Sequence, residues 1–280
     1  MKIYETHAHY DDDAFDEDRN ELISRLLGIN GDEKRADEKQ SISDTEGSVI
    51  QKTGVLECLI NVGASRTGCQ QSLALAEQYE KVYAAIGIHP EEVEGLTDKD
   101  MQWLKEQAAT NANVVAIGEI GLDYHYPEPE KEVQIQWFRR QLALAREVKK
   151  PVIIHSREAC ADTIQCMKAE HAEEIGGVVH CYSYTKEAAL DFLKMGFYFG
   201  IGGVVTFKNA KKLVAAVQEI PMDKLLLETD CPYMAPEPHR GKRNDSGYIP
   251  YVAEKIAEIK GMNAQEVIDM TNENAHRLFG

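Results

Sequence analysis

No two of the six cysteines, at 58, 69, 160, 166, 181 and 231, stand in CxxC spacing. That excludes the usual structural-zinc and redox signatures and suits reduced thiols better than a disulfide framework. Nowhere do about 18 apolar residues run together, so no membrane-spanning helix is expected. The first residues carry an acidic run and no basic segment leading into an apolar core, so no secretory address is read there and a cytoplasmic protein is expected. Self-similarity at a period of roughly 20 to 50 residues is missing. So is a glycine-rich dinucleotide fingerprint after the first apolar run. Positive charge is scarce: 31 Lys and Arg stand against 47 Asp and Glu, a net charge of −16. A protein that grips nucleic acid by a broad basic surface is excluded, because nonspecific affinity comes mainly from neutralised phosphates. Any phosphate contact has to be local.

What is present is alternation. Apolar, β-branched runs at 2–6, 57–63, 82–88, 114–120, 151–156, 177–181, 197–202 and 224–230 are separated by stretches with helical spacing, among them 69–80, 98–110, 131–149, 160–171, 185–196 and 210–220. Eight strand-helix units in a chain of 280 residues predict an α/β fold of the (β/α)8 TIM-barrel type, as one domain over 1–280. Residues 28–53 break the rhythm. They are polar, charged and nearly without large apolar groups, so they read as a surface insertion that adds little to a core.

In such a barrel the ends of the strands meet at one face, so residues that close different apolar runs become neighbours. His7 and His9 close the first run and, at i and i+2 on a strand, point to the same side. Glu119 lies at the end of the fourth run, His155 of the fifth, His180 of the sixth and Asp230 of the eighth. A single histidine or carboxylate at such a place commonly serves only structure; six placed alike share one explanation, a metal site. Imidazole and carboxylate donors without thiolates suit zinc, manganese or magnesium in an open, catalytic centre. Six ligands exceed one tetrahedral shell, so two ions are read: one among His7, His9 and Asp230, the other at His155 and His180, with Glu119 between. Paired ions roughly 3.5–4 Å apart polarise a phosphoryl oxygen and activate water, which is hydrolytic chemistry.

The segments ETHAH, AIGIHPEE, AIGEIGLDYHY, PVIIHSREA, VVHCYS and LLLETDCPYMAPEPHRGKRN, in that order and followed by TNENAHRLF, resemble the motif series of the TatD family of metal-dependent hydrolases, described as deoxyribonucleases. The resemblance implies a barrel with one or two divalent ions. It implies His7, His9, Glu119 and Asp230 around one ion and Glu119, His155 and His180 around the other, with Glu119 and Asp230 catalytic and Asp230 the proton acceptor from water. Two substitutions depart from the pattern. Glu5 stands where the family usually has Asp, and Tyr184 where it usually has Gly, an aromatic expected to narrow the rim.

Outside the ligands, His89 and His125 also follow strand ends and are read as facing substrate. Arg157 and the run His239, Arg240, Lys242 and Arg243 supply the local positive charge expected to hold phosphates. Asp123 and Glu228 are read as orienting the ligands. Tyr124, Tyr126 and Tyr182 are candidates to stack on a base or to pack. The expected activity is hydrolysis of phosphodiester bonds in DNA, as an exonuclease on ends. The alternatives are a small phosphoester, an amide or a lactone on the same site, and a noncatalytic metal-bound binding protein. DNA is the expected partner, with no membrane and no obligate protein partner.

Overall fold

The structure, a computed structural model, describes residues 2–29 and 55–280. All eight predicted strands are present: β1 Ile3–Ala8, β2 Leu56–Gly63, β3 Val82–Ile86, β4 Val114–Asp123, β5 Val152–Arg157, β6 Gly177–Val179, β7 Tyr198–Ile201 and β8 Leu225–Leu227. They form one parallel sheet in sequence order, each neighbour joined to the next, and a further parallel bridge between Ala8 and Cys231 brings the ends together. Helices α1 Arg19–Leu27, α2 Arg66–Gln78, α3 Asp98–Thr110, α4 Lys131–Val148, α5 Cys160–Ala169, α6 Lys186–Lys194 and α7 Lys211–Glu219 alternate with them, and α8 Ile249–Lys260 and α9 Ala264–Phe279 follow β8. This is the (β/α)8 TIM-type barrel. Among the described residues no helix is long and apolar enough to cross a membrane. The polar stretch expected at 28–53 lies outside the described residues except for Gly28 and Ile29. Gly28, at φ +68°, ends α1 in the left-handed conformation that glycine adopts without strain.

The near-continuous apolar strands reflect burial on both faces. Side chains such as Tyr4, Ile60, Ile153, Val178 and Leu226 fill the barrel interior, while their neighbours Ile3, Leu59, Ile154, Val179 and Leu227 pack outward against the helices. Two of the strands that lead to candidate ligands end earlier than predicted. β6 stops at Val179 and β8 at Leu227, so His180 and Asp230 sit in the loops just beyond. Within these loops Cys181, at φ +43°, and Asp230, at φ +56°, are left-handed, so the extended chain does not resume there. β4 instead runs on to Asp123, carrying Glu119 well inside the strand.

The β8–β1 seam has few ladder bonds and is closed mainly by side chains. Glu5, fully buried, accepts from Thr229 N–H (2.9 Å) and His7 N–H (3.2 Å) through one oxygen and from the Thr229 hydroxyl (2.8 Å) through the other. Thr6 donates to the Leu227 carbonyl at 2.9 Å. At the other end of β1, Asn272 on α9 accepts from Tyr4 N–H (2.9 Å) and donates to Lys2 O (2.8 Å), while Asn274 donates to Met222 and Leu225 carbonyls. The closing TNENAHRLF segment therefore caps the barrel bottom.

Burial pushes the Glu5 carboxyl up to about 7, against hydrogen bonds that pull it down. An uncharged isostere should therefore fit. Glu5→Gln is expected to stay within about 1 kcal/mol of the parent in urea unfolding, whereas Glu5→Ala, which orphans two buried N–H groups, should lose about 2–4 kcal/mol. Equal losses in the two variants would show that the carboxyl's hydrogen bonds do not hold the seam.

Candidate metal centre

At the C-terminal mouth, His7 Nε2 and His9 Nε2 lie 3.0 Å apart. Both approach Glu119 Oε2, at 3.5 and 3.7 Å, and Asp230 Oδ1, at 3.7 and 3.3 Å. A tetrahedral ion with ligands at roughly 2.1 Å has ligand-to-ligand edges of about 3.4 Å, and five of the six edges of this quartet fall at 3.0–3.7 Å. Seam closure makes the quartet. Asp230 N–H donates to His7 O at 2.9 Å, and His9 N–H donates to Cys231 O at 2.9 Å, so ligands from the first and last strands are tied together by backbone.

The other Glu119 oxygen, Oε1, faces a second group, 2.8 Å from His155 Nδ1 and 2.6 Å from His180 Nε2, which are 3.3 Å from each other. Glu119 thus turns one oxygen to each set, the arrangement of a bridging carboxylate. Three protein donors in the second set leave coordination positions for water or substrate, as catalytic sites require.

Hydrogen bonds on the far side of the rings fix which nitrogen is free. His9 Nδ1 donates to Val62 O (2.8 Å), and His155 Nε2 donates to Asp123 Oδ2 (2.9 Å), so His9 Nε2 and His155 Nδ1 present their lone pairs to the centre when neutral. The donor set therefore fits divalent ions. His89 differs. Its Nδ1 accepts the Glu91 N–H at 3.2 Å, which leaves the proton on Nε2, 3.7 Å from Glu119 Oε1. Burial and the nearby His155 push the His89 imidazole down to about 3. It is a neutral donor facing the second set.

Charge is concentrated here. Burial alone would raise the Glu119 carboxyl, but His180, His89 and His155 hold it well below the usual range. Asp230 is likewise depressed, its burial outweighed by His9, His180 and His7. Burial pulls His9 down, but Asp230, Glu119 and Asp11 push it up to about 10; for His155, Asp123 and Glu119 outweigh burial and push it up to about 9. His7, with burial and His180 acting together, is pulled down to about 4.

Of the residues read as facing substrate, the structure brings His89 to the ligands and Arg157 to within 4.0 Å of Asp123. His125 lies on the rim, bonded to Glu158 at 3.0 Å. Several side chains of the 238–244 run have partners of their own. His239 is buried, stacked on Tyr248 at 4.2 Å and bonded to Tyr251. The Arg240 guanidinium covers Phe207, and Arg243 pairs with Asp18 at 2.6 Å and with Ala14 O. Lys242 is exposed. Tyr184 turns onto the loop after β5, its hydroxyl 2.9 Å from Ser156 Oγ and accepting Ala159 N–H, so it braces the segment after His155. Glu228 accepts Cys181 N–H at 2.5 Å and supports the turn after His180, in space left by Gly200, where any Cβ would strike its carboxylate.

Two residues escaped the sequence reading. Gln134 and Gln141, seven apart on the buried face of α4, clamp backbone at the mouth: Gln134 bonds both Asp123 N–H and O, and Gln141 both Ile88 N–H (2.8 Å) and O (3.0 Å). They fix the segments carrying Asp123 and His89. Two amides on the apolar face of a helix were the available signal.

Barrel and ligand set together define a metal-dependent hydrolase, and the comparisons agree. The family profile described as TatD related DNase matches residues 4–280. YabD of Bacillus subtilis (strain 168), described as an uncharacterized metal-dependent hydrolase, is 43% identical over 277 residues, covering 99% of this chain and 98% of that protein. YcfH of Escherichia coli (strain K12), described in the same words, is 40% identical over 205 residues, covering 73% of this chain and 76% of its own. Among solved structures, YJJV, a TatD homologue from Escherichia coli K12, superposes with a TM-score of 0.85 at 28% identity, covering 99% of this chain and 97% of that one. The chain belongs to the TatD related DNase family of metal-dependent hydrolases.

An ion competes with protons at His9 and His155, both above neutral without metal. Affinity should therefore rise with pH through neutrality, and zinc binding at pH 7 should release about one proton per site. Calorimetry in buffers of different ionisation enthalpy measures this; a pH-independent affinity would contradict the assignment. Asp123→Asn, which loosens His155, is expected to weaken the His155–His180 ion about 10- to 100-fold and leave the other nearly unchanged in the same titration.

Proposed function

We propose that this metal-dependent hydrolase cleaves phosphodiester bonds in DNA, as a deoxyribonuclease acting on ends. The observation that carries the reading is Glu119, which offers one oxygen to each of two adjacent donor sets at an open mouth. His7, His9, Glu119 and Asp230 would hold one divalent ion, magnesium, manganese or zinc, and Glu119, His155 and His180 another. When bound, such ions polarise a phosphoryl oxygen and lower the pKa of water. The other roles belong to the chain. Asp230, ionised at neutral pH and held between His7 and His9, takes the proton of the attacking water. His89 Nε2–H donates toward a phosphoryl oxygen beside the second set. Arg157, half-exposed next to Asp123, adds positive charge where a phosphate enters. Family membership supports DNA as substrate. A net charge of −16 leaves little surface for a long duplex, which favours attack at strand ends.

The experiment is release of nucleotides from end-labelled single-stranded DNA by chelator-stripped protein, with magnesium, manganese or zinc returned. Metal-dependent release from one end is expected, with Asp230→Asn lowering turnover about 10²- to 10⁴-fold. Circular DNA cut as fast as linear would overturn the exonuclease assignment. No release with any metal would move the reading to a small phosphoester, an amide or a lactone.

A further inference from the structure

Among the described residues, four large apolar side chains are exposed: Tyr126 (48%), Leu190 (54%), Tyr233 (54%) and Met234 (39%). Leu190 lies out on α6. The other three are at the mouth: Tyr126 stands three residues past Asp123 at the end of β4, and Tyr233 and Met234 three and four residues past Asp230. In an eight-strand ring, β4 and β8 are four places apart in either direction. The two aromatic positions therefore face one another across the mouth, with the ligand residues between them.

Both are about half exposed, and Tyr233 is held in place. The Tyr233 hydroxyl donates to Asp12 Oδ2 at 2.8 Å, and its N–H donates to Asp230 O at 3.0 Å, so the ring is coupled to the backbone of a ligand. Met234 Sδ lies 3.8 Å from Cys181 Sγ, next to His180. On the opposite side, the Arg157 guanidinium is 5.6 Å from the Tyr126 ring centre, and the His125 ring meets it edge-on at 4.9 Å. Arg157 thus sets a phosphate-seeking charge beside an exposed aromatic ring. Two exposed rings at opposite edges of a mouth lined by candidate ligands lie where the bases on either side of a bound phosphate would pass.

We propose that Tyr126 on one side, and Tyr233 with Met234 on the other, are stacking platforms for unpaired nucleobases flanking the scissile phosphate. This rests on the nuclease reading and assigns the side chains that position the strand. A base within a duplex has its faces covered by its neighbours, whereas an unpaired base offers a face to an aromatic ring, whatever its identity. The two platforms thereby select single strands and align the phosphate between them over the ligands.

The test uses the metal-loaded full chain, with Tyr126→Ala, Tyr233→Ala and the Phe counterpart of each, on end-labelled oligonucleotides. One set is intact; in the other, a stable abasic residue replaces the nucleotide on one or the other side of the cleaved bond. Each Ala variant is expected to lose about 5- to 100-fold in kcat/KM on intact strands, mainly through KM, and each Phe variant to stay near the parent. On the abasic strand lacking its partner base, the Ala effect should shrink to within about twofold. Equal losses on intact and abasic strands, or no loss, would overturn the stacking assignment while leaving the nuclease reading in place. Failure of the parent to release nucleotides, with a small phosphodiester still hydrolysed, would overturn both.

Discussion

The seam between the first and last strands is the constraint on which the site depends. A barrel closes by bringing β8 against β1, and here the ladder across that junction is short. Glu5 bridges it with two hydrogen bonds accepted from Thr229, and the Asp230 and His9 N–H groups complete it. The first ligand set is assembled from the two sides of this same junction, His7 and His9 from one and Asp230 from the other. Fold closure and ligand placement are one event. A carboxylate one methylene longer than the family's usual Asp reaches both His7 and Thr229, so the Glu5 departure acts on the seam and removes no ligand.

Much of this was legible in the residues. Eight apolar runs at regular intervals specify a barrel because a parallel strand must be buried on both faces, and the run ends mark the mouth. The six candidate ligands follow from that one rule, and the 3.0–3.7 Å spacing of the first quartet is compatible with it. The basic run at 238–244 was less legible, because charge in a sequence carries no direction. Arg243 is engaged by Asp18, and Arg240 lies on Phe207. Those partners are distant in sequence, and only the folded chain reveals them. Gln134 and Gln141 were hidden for a related reason: a glutamine on a helix reads as solvent-facing until the backbone it grips is known. Tyr184, expected to narrow the rim, has its hydroxyl on Ser156 of β5 and on the Ala159 N–H, contacts distant enough in sequence that only the folded chain reveals them.

The tautomers give the centre its division of labour. In three of the rings the nitrogen that does not face the ligand cluster is assigned by its neighbour: a carbonyl or carboxylate acceptor frees the lone pair of His9 or His155, while the Glu91 N–H donor commits His89 to carrying a proton on Nε2. Three imidazoles of similar chemistry are thereby divided into two ligands and one donor without any change of residue type. The same rule explains why Asp123 matters although it lies behind His155. Its carboxylate holds the imidazole with Nδ1 toward Glu119, and Gln134 holds that carboxylate's backbone from α4.

Glu119 carries the greatest electrostatic burden. A buried carboxylate would ordinarily be protonated, yet His180, His89 and His155 keep it ionised, so it presents a negative charge to the ligand sets. Its neighbours show the converse: His9 and His155 retain protons above neutrality because the same carboxylates surround them. A cluster of this composition is balanced only by added positive charge, whether protons or divalent ions. Ions and protons therefore exchange at the same atoms, and the affinity of the centre for metal is inseparable from the pH at which the chain holds its own protons.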